Sequence, residues 1–286
     1  MRKFTFLTFV WLCVGLLVTS SSHAQKGKKD NNETPKILKD LPNFFVNDNV
    51  FPPYLKKIYK VDATRLAIRL LSKEQRLSKQ TVKVPEDLVQ SIYNALVAVR
   101  LSDYSAVDTI ASIYYIRSYP TPNVEHLTLM FEHDAPWIEP LKRKVDTTAS
   151  PSINRLIREH NLMMTKMVYV DEERGGLTLQ SREPINIPAL TMKFFSDEGI
   201  LAIEETLPYG DGNDININRT AEGWEITYSL RFGNCVNQCD KIHDWKFAVS
   251  ASGEVSFLGS SGHSIPPWLA GKVSHMAKKY PDQLKK

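Results

Sequence analysis

Cys235, Cys239 and His243 follow one another at four-residue spacing, C-x3-C-x3-H, with Asp240 and Asp244 beside them. On a helix, residues four apart share a face, and two thiolates with an imidazole suit zinc or cuprous copper. In an oxidising compartment the same cysteines close a small ring instead, stabilising the chain by roughly 2 kcal/mol on chain-entropy grounds. The disulfide Cys235–Cys239 is the expected state. The metal set of Cys235, Cys239 and His243 is its rival, set back because strand character begins near His243 and no fourth ligand is evident. A further rival is a hydrolase site near His263, which follows Gly259-Ser260-Ser261-Gly262. That run is one residue short of the G-x-S-x-G nucleophile turn.

Other chemistry-bearing residues are dispersed. Six of the seven histidines lie beyond residue 24, and His126, His133 and His160 each follow a Glu. His126 and His133 are an odd number of positions apart, so on one strand they point to opposite faces. In Tyr209-Gly210-Asp211-Gly212-Asn213-Asp214, Asp211, Asn213 and Glu222 fit positions 1, 3 and 12 of a calcium loop. Position 5 is Ile215, however, and Asn216 stands where the glycine belongs. A Gly/Asp/Asn turn between strands is the expectation. There is no glycine-rich phosphate loop, and no catalytic motif or cofactor is called for.

The cysteine argument depends on the amino terminus. Arg2 and Lys3 precede an apolar run from Phe4 to Val18, and Ser22-His23-Ala24 offers small residues where a signal peptidase cuts. Residues 1–24 are read as a signal peptide cleaved between Ala24 and Gln25. Its loss removes Cys13 and leaves one close pair in an exported chain, periplasmic or extracellular. The formal charge of +4, from 36 Lys and Arg against 32 Asp and Glu, is too balanced for a nucleic-acid binder. Its dense basic runs, Lys26 to Lys29 and Lys278 to Lys286, are terminal and read as solvated tails. No apolar stretch beyond residue 24 reaches the length of a membrane span, so no transmembrane anchor is expected in the mature chain.

The elements that must position these residues fall into three sections. Residues 25–49 read as a flexible leader, and folding is expected to begin near Phe51-Pro52-Pro53-Tyr54. Residues 50–122 are mainly helical: one helix from about Pro53 to Ser72, and a second opened by Pro85 with Leu88, Ile92, Leu96 and Val99 as its stripe. Thr109 to Tyr119, rich in Ile and Tyr, is expected to enter a strand. Residues 123–208 read β-α-β-β-α-β, with strands at His126 to Glu132, Met163 to Val170, Leu177 to Ser181 and Ile200 to Glu204. Their helices begin near Ser150 and Pro188. That is the order of a ferredoxin-like sandwich. Residues 209–286 are antiparallel β with a short closing helix from Ile265 to Tyr280. There Trp224 to Phe232 alternates without a break, and Trp245 to Val249 turns at Ser252-Gly253 into Val255 and Phe257. The fold class is α+β. Asn32-Glu33-Thr34 and Asn218-Arg219-Thr220 match the glycosylation sequon, a pattern that chance supplies often.

The segment from Ile153-Asn154-Arg155-Leu156-Ile157 to Ile200-Leu201-Ala202-Ile203-Glu204-Glu205 resembles the prodomain of subtilisin-type proteases. The resemblance implies a module that docks on a protease and inhibits it with the tail leaving its last strand, here Glu205-Thr206-Leu207-Pro208. No Asp, His and Ser motifs of such a protease accompany it. More broadly, Asp211-Gly212-Asn213, Gly233-Asn234-Cys235, Cys239, Trp245-Lys246-Phe247 and Gly253-Glu254-Val255 are similar to a group of uncharacterised exported proteins of Gram-negative bacteria. That similarity implies the address and the disulfide. The functional expectation is an exported, non-enzymatic module that binds another exported protein through a sheet edge or tail, its oligomeric state open.

Overall fold

The structure is a computed structural model that describes residues 36–73, 81–195, 199–205 and 210–270. The expected signal peptide with its Ala24/Gln25 cut, the terminal lysine runs, the Asn32 sequon, Thr206 to Pro208 and most of the expected closing helix lie outside the described residues. The chain is α+β, built from helices and two four-stranded antiparallel sheets.

Helix α1 spans Pro53–Lys73 and α2 spans Glu86–Leu101. Their apolar faces pack on a sheet made of β5 (Asp214–Arg219), β6 (Gly223–Phe232), β7 (Lys241–Ser250) and β8 (Val255–Gly262), in that order. Alternation decides which sheet face meets the helices. Trp224, Ile226, Tyr228, Leu230 and Phe232 share one side of β6, opposite Val249, Phe247 and Trp245 of β7, and all are buried with Leu66, Leu88, Ile92 and Leu96 in one core. The first and last sections of the chain therefore share a core. Part of the leader joins it: Phe44 is buried, and its carbonyl accepts from Asn94 Nδ2 at 2.6 Å. Ser91 Oγ donates to Pro42 O at 2.7 Å and stands 3.1 Å from the Trp224 indole nitrogen, which donates to it.

The run Thr109 to Tyr119 is not a strand. Helix α3, Ser105–Asp108, continues into a π-helical turn, Thr109–Ile113, followed by irregular chain. Val107 and Ile110 are buried and Tyr114 packs beside them, a spacing of three and four that fits a helix. Burial on that period outweighs the strand preference of Ile and Tyr.

The middle section builds a second core. Strand β1 (His126–Glu132) leads through the one-turn helix α4 (Glu139–Lys142) to α5 (Pro151–Glu159), then to β2 (Leu162–Tyr169), β3 (Arg174–Ser181), α6 (Ile187–Phe194) and β4 (Ile200–Glu204). The sheet order is β2-β3-β1-β4, every neighbour antiparallel. Helix α5 starts where expected: Ser150 Oγ accepts from Ile153 N at 3.2 Å, satisfying a first-turn donor. Ile153 and Leu156 of α5, with Leu190 and Phe194 of α6, cover Leu127, Leu129, Phe131, Leu177 and Leu179.

Candidate interaction surface

Two arginines on α1 tie the two cores together. Arg65 and Arg69, one turn apart, reach the irregular chain that leads into β1. Arg65 Nε donates to Pro122 O at 3.0 Å, and Arg69 donates to Thr121 O at 3.0 Å and Tyr119 O at 2.8 Å. The returning chain is caught at the same place. Asp214 accepts from Arg69 Nη1 and, at 2.6 Å, from Tyr119 N, and Tyr119 Oη donates to Gly210 O at 2.7 Å. Deeper in, Asp62 is fully buried and Oδ1 accepts from Ser118 N and Oγ. Burial raises the Asp62 carboxyl above the usual range, against the hydrogen bonds from Ser118 and the charge of Arg117 that favour ionisation. These polar groups fix the segments where chain enters and leaves the middle section. The sequence signal was the pair of arginines at i and i+4, with Asp62 one turn before them on the same helix face.

Cys235 and Cys239 stand at disulfide-bonding distance in the connection between β6 and β7. Asp211 organises that connection: it accepts from Arg231 Nη1 at 3.0 and 2.9 Å, from Cys239 N at 3.0 Å and from Gly212 N at 2.9 Å. Asn213 Oδ1 accepts from Arg231 N at 2.9 Å. The side chains of Asp211 and Asn213, which suggested a calcium loop, are thus engaged by protein donors. Gly233, at φ +91, adopts a conformation that favours glycine, and Asp240 Oδ1 crowds the place a Cβ would take.

His243 lies on β7 rather than on a helix with the cysteines, its ring edge against Trp245 at a centroid distance of 4.5 Å. Its Nδ1 is 2.9 Å from His263 O, so the structure does bring these two histidines together, but through main chain. Neither hydrogen-bonds a serine among the described residues. Ser261 faces Asp244 across the strands, and the Asp244 carboxylate accepts from Ser229 at 2.7 Å. No three His, Cys, Asp or Glu side chains among the described residues stand where they could hold a metal ion. No described helix is long and apolar enough to cross a membrane.

The middle sheet exposes apolar side chains near an edge strand. Its helix-covered face is buried, whereas Thr128, Met130 and Thr178 on the other face are partly exposed, and Val168 of β2 is 38% exposed. Gly176 keeps this face flat: a Cβ there would meet Thr128 Cγ2 at 3.1 Å and Met130 Sδ at 3.3 Å. β2 is an edge strand, and beyond Val168 come Tyr169, 44% exposed, and Val170, 59% exposed. Leu201 is exposed on the opposite edge strand, β4. Tyr169 is braced by Phe131 and His133, at ring-centroid distances of 6.2 and 4.8 Å.

No family model matches the chain, and neither a curated protein nor a solved structure matches it.

Proposed function

We propose that the protein is an exported, non-enzymatic binding module that engages another exported protein through the middle sheet. The observation that carries this reading is the partly apolar open face of that sheet, which reaches the edge strand β2 at Val168. A partner strand added to β2 would gain main-chain hydrogen bonds, and side chains on the open face would supply selectivity. The middle section is read as ferredoxin-like, supported by β3 lying between β1 and β2 with a helix in each crossover. The resemblance to subtilisin-type prodomains points the same way and adds the tail from Glu205 as a second contact. Export is read from the signal peptide expected at residues 1–24 and is compatible with the cysteine pair at bonding distance.

Retention of a partner from the native envelope fraction by immobilised mature protein tests the reading. A photo-crosslinker at Val168 should join that partner. Failure to retain any protein above background, or crosslinking only from sites outside the middle sheet, rejects it. The mass of the exported chain should begin at Gln25.

A further inference from the structure

Each sheet has two edge strands, and three of the four carry a charge that discourages pairing with another chain: Lys166 on β2, Glu204 on β4, and Asp214 and Arg219 on β5. The fourth, β8, reads Val255-Ser256-Phe257-Leu258-Gly259-Ser260-Ser261-Gly262, with no charged residue and no proline. One side of it pairs with β7, and among the described residues no strand pairs with the other.

The ladder with β7 fixes which main-chain groups are left over. In an antiparallel pair alternate residues bond the neighbouring strand, and those between them direct N–H and C=O outward. Ser250 N donates to Glu254 O at 2.9 Å at one end of the pair, and His263 N donates to Ile242 O at 2.8 Å at the other. Between these ends Phe247 stands opposite Phe257 and Lys246 opposite Gly259, so the register skips Leu258. Val255 and Phe257 before the skip, and Ser260 and Gly262 after it, therefore turn their main-chain groups away from β7. Tyr104 Oη donates to Val255 O at 3.3 Å from that outward side, and a carbonyl can accept a second bond.

The skip makes the outward set symmetric about the midpoint of Leu258 and Gly259. Two antiparallel copies of β8 then have one register in which all four outward residues meet outward residues: Val255 opposite Gly262, and Phe257 opposite Ser260, each twice. In that register the larger side chains meet small ones and Ser256 meets Ser261. The exposed Glu254, just before the strand, meets the exposed His263, just after it. Val255, Phe257, Ser260 and Gly262 stand opposite Val249, Phe247, Trp245 and His243 of β7, all on the helix-covered face, so the pairing keeps the helices of both copies on one side.

We infer that β8 is a self-association edge: a second copy of this chain pairs antiparallel with it about a two-fold axis, joining two four-stranded sheets into one of eight strands. The contact is isologous and uses up the edge, so assembly stops at the dimer. A contact this short belongs among the weak interfaces.

Sedimentation equilibrium of the mature protein should show mass rising reversibly from one chain toward two between about 10 and 500 µM, the range of a weak interface. The register is read with single variants at two exposed positions, Ser256→Cys and Ser261→Cys. Mixed under oxidising conditions they should form a disulfide-linked dimer of one with the other, because the two positions face each other across the axis. Each alone should link at least about fivefold less, because its own copies stand about 17 Å apart, five residues of strand rise. A monomer throughout the concentration range, growth beyond two chains, or linking of either single variant as efficient as that of the mixture overturns the inference. β8 lies in the other sheet from β2, so each of these outcomes leaves protein binding through the middle sheet to its own test.

Discussion

Arg69 and Asp214, 145 positions apart in the chain, meet in a paired contact, with Arg69 Nη1 donating to Oδ1 at 2.9 Å and to Oδ2 at 3.1 Å. The contact closes the loop made by the middle section. It ties the first long helix to the first strand of the sheet that covers it, while other Arg69 donors hold Tyr119 and Thr121 on the outgoing chain. Arg69→Ala takes the guanidinium from a partly buried carboxylate and leaves three main-chain carbonyls, of Tyr119, Thr121 and Ile215, without its donors. A loss of about 2–4 kcal/mol is expected from urea denaturation. A loss below about 0.5 kcal/mol, the level of an ordinary surface change, would show that the two cores are joined by other means.

The cysteine pair closes a short ring in the β6–β7 connection. Protein purified without reductant should show no free thiol after denaturation. Cys235→Ser/Cys239→Ser should cost about 2 kcal/mol, and should leave binding to the middle sheet unchanged because the connection lies in the other core. Two free thiols contradict this.

His160 gives a pH dependence of known sign. Burial lowers its pKa below the usual histidine value, ahead of the opposing charge of Glu159. The unfolded chain titrates near about 6.5, so below that pH the unfolded state takes up more protons and the folded state loses stability until the lowered folded pKa is passed. His160→Gln removes this loss. Denaturation midpoints at pH 7.5 and 5.5 should move in the variant's favour at the lower pH; an equal difference at both values contradicts the assignment.

Asp48 has the opposite origin. The hydrogen bonds from Lys56 and Tyr93 lower its folded pKa, so its contribution is present above the unfolded value near about 3.9 and is lost as pH falls through the folded one. The stability difference between parent and Asp48→Asn should be largest at neutral pH and shrink in acid. A constant difference from pH 7 to pH 2 would mean that Asp48 acts through shape alone.

Legibility in the sequence followed the locality of the signal. Trp224 to Phe232 alternates strictly, and Leu127, Leu129 and Phe131 recur at every second position, so each strand and its buried face could be read directly. The start of α5 was visible because Ser150 and Pro151 make a local cap. Thr109 to Ile113 was misread because intrinsic strand preference and helical burial disagree there, and packing decides. The cysteines, close in sequence, stand at bonding distance, but the partners of Asp211, Asn213 and Asp214 were hidden. Those partners come from Arg231, on the next strand, and from Arg69, on a helix far back in the chain.

Binding through the middle sheet is tested most directly by one comparison of charge substitutions at exposed apolar positions. Val168→Asp is placed on the proposed surface and Leu258→Asp on β8 of the other sheet. Partner retention from the envelope fraction is measured for both and for the parent. Loss of the partner with Val168→Asp and full retention with Leu258→Asp is the expected result. Undiminished retention by Val168→Asp contradicts the assignment of the binding surface to the middle sheet.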